Sequence, residues 1–389
     1  MTERHASRML CWRPQATGRV TKQKSPEPHG GRPRHDAYKG KWHLSDINHG
    51  VDFHSPRCPE TSRALEPWGF SDYSHDGDHH GPGRDGLKHD AAIAADAANW
   101  LLGVNGSKES GKPWFMAVNF INPHDIMFYD ATGTMTKERL DPLRDAPLLP
   151  APASPLYDER LALDLPKSFS DDLESKPVAH RRDLQLADIM YGFLPKEKKA
   201  GWRNHRNYYY NCVHDVDRNV DFVLDALERS GEADRTIVIF TSDHGEMAGA
   251  HGMRQKGASM YKEIVRVSLF VSHPDIRSPV ETDALATSID LVPTTLDMLG
   301  LTKGEVEARW PALRGVSLVP RSKAAGRNVT RAAAFSMTRR RQLLPEGTEL
   351  QAHGRGLICP PPQKDLNSLD CLQTRIFGEN TLPMSMTSS

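Results

Sequence analysis

Neither sign of charge dominates this chain: Lys+Arg and Asp+Glu both count 50 in 389 residues. That balance gives no reason to expect a nucleic-acid-binding or membrane-surface protein, so electrostatic function must be local. Cysteine is scarce and scattered. Cys11, Cys58, Cys212, Cys359 and Cys371 form no CxxC pair and are odd in number, which argues against both a disulfide framework and a zinc knuckle. No apolar run approaches the roughly 20 residues of a membrane span, and the N-terminus lacks the apolar stretch of a secretory signal. The expected compartment is the cytoplasm for the chain as written, or the exterior if its N-terminus is incomplete. Asn105-Gly-Ser and Asn328-Val-Thr would accept glycans only in the second case.

What is present divides the chain into three. Residues 1–35 hold eight Lys/Arg against two Glu with Pro and Gly clusters, and read as an irregular basic segment. Residues 36–337 carry the folded pattern. Residues 338–389 have no periodicity and are expected to form a structureless tail.

Within the middle region Asp90–Leu102 predicts a helix and Trp114–Phe120 a buried strand. Leu140–Pro177 is proline-rich and reads as a long surface excursion of the kind that shapes a binding mouth. Val213, Val216, Val220, Leu224 and Leu227 recur at helical spacing within 207–229, with Gly231 as the stop. Thr236–Ser242 is rich in β-branched residues and predicts a buried parallel strand. Val265–Val271 predicts another strand, and Ser288–Leu299 another helix. Alternating helices and apolar strands imply an α/β fold with a large, mostly parallel central sheet and helices on both faces.

Ligands of such sheets gather beyond the carboxyl ends of the strands. Two strands here run into polar clusters, Asn122-Pro-His-Asp125 and Asp243-His-Gly-Glu246. Gly106-Ser-Lys-Glu-Ser-Gly-Lys112 approaches a phosphate-binding loop, but Pro113 takes the place of the hydroxyl residue and the flanks are helix then strand, the reverse of what the motif needs. His75-Asp-Gly-Asp-His-His80 lacks the helical spacing of a zinc-protease site and reads as a loop. Gly40-Lys-Trp-His43 and Lys256-Gly-Ala-Ser-Met-Tyr261 add cations and an imidazole. Taken singly, each of these has a structural reading as well as a functional one.

Taken in order, DAYKGKWHLS, FINPHD, TIVIFTSDHGEMAGAHG, KGASMYKEIVRVSLFV and SIDLVPTTLDMLGL resemble the sulfatases of the alkaline-phosphatase superfamily, from Asp36 to about Pro320. The resemblance implies hydrolysis of a sulfate monoester, arylsulfatase-like, on a small-molecule substrate. A sulfate ester carries diffuse negative charge, and its cleavage needs fixed cations, a metal and an acid for the leaving alkoxide. By the resemblance, Lys41 and Lys256 bind sulfate oxygens, and His124 contacts the sulfate or donates to the leaving group. His43 orients or activates the nucleophile, and Asp243 and His244 are two ligands of a divalent ion, most simply calcium.

The family draws its nucleophile, a formylglycine, from a C/S-x-P-x-R segment. None is found: Cys11-Trp-Arg-Pro14 has its proline one place late, and Cys58 follows the GKWH segment in the wrong order. The family's first strand, with paired aspartates that complete the metal site, is also not found, and the family's C-terminal subdomain is expected to be reduced or absent. The expectation is a sulfuric ester hydrolase impaired in this chain. The alternatives are a catalytically inactive binding relative and a phosphate or phosphonate monoester hydrolase.

Overall fold

The computed structural model describes residues 7–12, 36–42, 64–74, 84–104, 113–135, 148–257, 259–276 and 285–319. The tail from 338, the His75–His80 loop, the Gly106–Lys112 loop and His43 lie outside the described residues.

Among the described residues six strands form one sheet: β1 (Ser7–Trp12), β2 (Asp36–Gly40), β3 (Asp72–Ser74), β4 (Phe115–Phe120), β5 (Ile237–Ser242) and β6 (Leu269–Ser272), in the order β3-β2-β4-β1-β5-β6. β2 pairs in parallel with β3 and β4. β1 runs antiparallel to both β4 and β5, and β6 antiparallel to β5. β2, β3, β4 and β5 therefore share one direction. β1 is an addition to the sequence reading, which places no strand before Asp36. Its six residues lie in the central slot between two parallel neighbours, where both ladders are satisfied by the backbone alone.

Alternation along the strands sends side chains to two cores. On one face Met116, Val118 and Phe120 of β4, with Phe240 and Phe270, pack under two helices, α1 (Asp85–Leu101) and the 31-residue α4 (Lys199–Arg229). These helices contribute Ile93, Ala97 and Trp100, and Val213, Val216, Val220 and Val223. On the other face Ile237, Ile239, Leu269 and Val271 pack against α6 (Leu291–Met298), and Tyr38 and Ala117 against Trp42, Leu65 and Tyr73. Helices thus cover both faces, as the alternating pattern implies.

Element ends differ from the sequence reading for tertiary reasons. α1 begins at Asp85 instead of Asp90 because a remote carboxylate, Asp125, takes the N–H groups of Gly86 and Leu87 at 2.9 and 3.0 Å. α4 extends to Lys199 because its first turns bury aromatics, not the aliphatic residues that set the visible period: Tyr208 stacks on Tyr129 at 4.1 Å and Trp202 meets Phe169 edge-on at 5.4 Å. It stops as expected, with Gly231 in the left-handed region and its N–H on Glu228 O. The strand expected from Val265 begins at Leu269, since Lys262–Val265 forms a helical turn (α5) whose Ile264 carbonyl accepts Gly245 N–H at 2.7 Å. Of the excursion, the described part 148–177 has one regular element, the single turn α2 (Pro155–Asp158). α3 (Val178–Tyr191) follows it, and α7 (Lys303–Arg309) lies beyond α6.

Candidate active site

Strand register decides which residues share an edge. Gly40 lies opposite Asn119, while Ser7 of β1 lies opposite both Phe120 and Ser242. The carboxyl ends of β2, β4 and β5 are therefore level, and Lys41, Asn122–His124 and Asp243–His244 leave the sheet at the same edge. Lys256 joins them from the loop after β5, its Nζ 4.0 Å from Sδ of Met127 in the turn His124–Phe128. Of the six residues picked from the sequence, five come together in this way. The sixth, His43, lies outside the described residues.

Lys41 is 1 % exposed. Its N–H donates to Asn119 O at 3.0 Å and its carbonyl accepts from Tyr38 OH at 2.7 Å, so the strand end that carries it is held on both sides. Gly40 makes this possible. Its φ is 96°, and a Cβ there would lie 2.0 Å from Asn119 O. Next to Gly40, Lys39 is fully buried and pairs with Asp72 at 3.2 Å and Asp96 at 3.0 Å, which ties β2 to β3 and α1.

The turn that holds His124 is fastened by three carboxylates that sequence reasoning did not select. Asp90 of α1, fully buried, accepts Ile121 N–H at 2.7 Å and Asn122 N–H at 2.9 Å. Asp125 caps α1, and Asp215 of α4 accepts Tyr157 OH at 3.0 Å and Asn122 Nδ2 at 3.5 Å. Gly86 permits the approach, since a Cβ there would meet the Asn122 side chain at 2.3 Å. Burial pushes all three carboxyls up against the pull of their donors: Asp125 to about 6, Asp90 well above its ordinary value, and Asp215 in the same direction. Asp125 lay within the quoted NPHD cluster. Nothing in the sequence pointed to Asp90 or Asp215, which reach the turn only through the packing of α1 and α4.

After β5, His244 Nδ1 lies 2.6 Å from Gly245 O. A carbonyl only accepts, so Nδ1 carries the proton and Nε2 of the neutral ring has the lone pair a metal ligand needs. Nε2 is 3.8 Å from Asp243 Oδ2, and Asp243 Oδ1 accepts His244 N–H at 3.1 Å. These are two donors only. Among the described residues no group of three or more His, Cys, Asp or Glu side chains is arranged to hold a metal ion. A calcium ion takes about six to eight oxygens, so this donor set does not make a calcium site by itself. Glu246 closes the following loop by accepting Ala248 N–H at 3.2 Å and Gln255 N–H at 2.7 Å, and burial raises its carboxyl to about 7.

Such an edge, with buried and half-buried cations, an imidazole and two metal-type donors, can hold a small anionic ester. The sequence matches the family described as Sulfatase over residues 35–301. The chain belongs to the sulfatase family. This sulfatase chain is 27% identical over 293 residues to the uncharacterized sulfatase YidJ of Escherichia coli, covering 70% of this chain and 51% of that protein. It is 26% identical to a choline-sulfatase of Rhizobium meliloti, covering 59% and 40%, and 35% identical over 117 residues to mouse arylsulfatase K, covering 30% and 20%. Among solved structures it is similar to a putative sulfatase of Bacteroides thetaiotaomicron, with 26% identity, a TM-score of 0.41 and coverage of 59% and 45%. It is also similar to a phosphonate monoester hydrolase of Silicibacter pomeroyi, with 22% identity, a TM-score of 0.43 and coverage of 67% and 48%. The chain spans about half, or less, of the length of these relatives. No helix among the described residues is long and apolar enough to cross a membrane.

Proposed function

We propose that this chain carries the sulfate-binding part of a sulfuric ester hydrolase site, for a small sulfate monoester. One observation carries the reading: Lys41, His124, Asp243, His244 and Lys256 leave the fold at one edge, two of them cations. The ammonium groups of Lys41 and Lys256 hold the non-bridging oxygens, and the burial of Lys41 strengthens its field relative to water. His124 supplies the proton to the leaving alkoxide. His43 orients the nucleophile. Asp243 and His244 would contribute two ligands to a divalent ion, which when bound would polarise the ester. The names choline-sulfatase and arylsulfatase K among the relatives favour a small sulfate monoester as substrate.

With no formylglycine precursor identified and two metal donors present, turnover by this chain is expected near background. The alternative is a binding relative that has lost catalysis, which a two-donor set among the described residues also accommodates, and the first test separates binding from turnover. In calorimetry, inorganic sulfate is expected to bind the purified chain, and Lys256→Ala is expected to weaken it at least about ten-fold, the loss of one charge-assisted contact. Unchanged affinity removes Lys256 from the site. Tighter binding of inorganic phosphate than of sulfate shifts the reading to phosphate or phosphonate esters. Metal-dependent hydrolysis of p-nitrophenyl sulfate at an ordinary enzymatic rate refutes the impaired reading.

A further inference from the structure

Between Glu246 and Gln255 the chain doubles back, Met247 N–H donating to Gln255 O at 3.2 Å and Gly249 N–H to Met253 O at 2.8 Å, and Lys256 follows directly. At the tip His251 has a φ of 53°, between Gly249 at 94° and Gly252 at 64°. A residue with a side chain keeps that left-handed conformation only where its surroundings over-determine it.

Those surroundings are explicit. His251 N–H donates to Ser168 Oγ at 3.2 Å, and its Nδ1 lies 2.6 Å from Asp171 Oδ2. Its ring stacks on Tyr261 at 4.3 Å, and Tyr261 OH lies 2.9 Å from Nδ1 of His180 on α3. Asp171 is itself held: Leu173 N–H donates to its Oδ1 at 2.9 Å, Lys176 Nζ lies 3.4 Å from its Oδ2, and the Lys196 ammonium donates to its carbonyl. Ser168 and Asp171 belong to the proline-rich excursion, His251 to the Lys256 loop. His251 and Asp171 side chains are both 18 % exposed, so the contact is a packed one at the protein's rim.

We infer that the His251–Asp171 pair is a positioning clamp that ties the excursion to the Lys256 loop, so that the segment shaping the mouth also sets where the Lys256 ammonium stands. The inference rests on reading Lys256 as a sulfate-binding cation. Because the loop is braced internally by Glu246 and by its own ladder, a shift at its tip passes to its base. His251 and Asp171 are positioning residues in this scheme and touch no substrate.

The test uses the full chain with His251→Asn, which tolerates the left-handed backbone and keeps the N–H to Ser168, and Asp171→Asn, which keeps the oxygen for Leu173 N–H but loses the charge. Two quantities are measured in each single variant and in the double: the rate at which a small N-hydroxysuccinimide ester acylates Lys256, read by mass spectrometry, and the Kd of inorganic sulfate. Each single variant is expected to change the Lys256 acylation rate and to raise the sulfate Kd roughly five- to ten-fold, with the double no worse than either single. Wild-type values for both quantities in both single variants overturn the clamp, as does a double variant whose effects multiply. If the wild-type chain binds no sulfate, the sulfate reading fails, and the acylation rates still decide the clamp.

Discussion

Gly40 is where fold and site meet most tightly, and Gly40→Ala tests the link. A methyl at this position meets two obstacles. The backbone is left-handed at φ 96°, which costs an L-residue about 1–2 kcal/mol. The new Cβ also lies 2.0 Å from Asn119 O, the same oxygen that accepts Lys41 N–H at 3.0 Å. Backbone has no rotamer by which to step aside, so β2 must part from β4 at its end. Losing that hydrogen bond adds about 1–2 kcal/mol. The sum is about 3 kcal/mol, a large share of a domain's stability but short of unfolding it. Gly231→Ala supplies the control, because Gly231 also has a left-handed backbone, at φ 71°, but nothing within 4 Å of its Cβ position. Only the conformational cost of about 1–2 kcal/mol remains there. Urea denaturation of both variants, with sulfate calorimetry alongside, should find Gly40→Ala about 1–2 kcal/mol less stable than Gly231→Ala, with weaker sulfate binding. Equal losses in the two variants refute the clash argument, and unaltered sulfate binding by a destabilised Gly40→Ala refutes the link to Lys41.

Asp125 gives a pH signature. Its carboxyl is raised from 3.8 to about 6 in the fold, chiefly by burial, so the folded state binds this proton more tightly than the unfolded chain does. Stability from this group is therefore full below about pH 4, falls as pH rises toward 6 and is level beyond, a change of about 3 kcal/mol. Asp125→Asn should flatten that slope in denaturation curves taken across the range, and a slope identical to wild type would count against it. Arg254 closes the end of α3: its guanidinium donates to Ala187 O at 3.3 Å, Tyr191 O at 3.2 Å, Gly192 O and Asp188 Oδ1 at 2.9 Å. A lysine cannot span that fan of acceptors, so Arg254→Lys should cost about 3 kcal/mol and speed amide exchange in α3. Protection equal to wild type would show that α3 is held by other contacts.

How legible was this protein before folding? Elements with a strong apolar period were visible, including the aliphatic half of α4, the core of β4 and β5, and α6. Each is recruited by burial of its own side chains, which a one-dimensional pattern records. The first turn of α1 and the aromatic turns of α4 were not visible, because their stability comes from Asp125, Tyr129 and Phe169, far away in sequence. β1 was invisible for a related reason. A central strand is defined by what its two neighbours offer, and the sequence of Ser7–Trp12 carries no alternation that announces it.

The site divides along the same line. Residue types and order along the chain were enough to select Lys41, His124, Asp243, His244 and Lys256 and to suggest a sulfate ester, because in that order they resemble the motifs of the sulfatase family. Only the tertiary structure could decide that these residues share an edge, since that follows from strand register and from a Lys256 loop folded back onto the His124 turn. It also decided what holds them there. Asp90 and Asp215 lie 32 and 93 residues from Asn122, which both of them bond, and the His251–Asp171 contact spans 80. A carboxylate's burial and its donors are properties of the space around it, and no local pattern in the chain encodes that space.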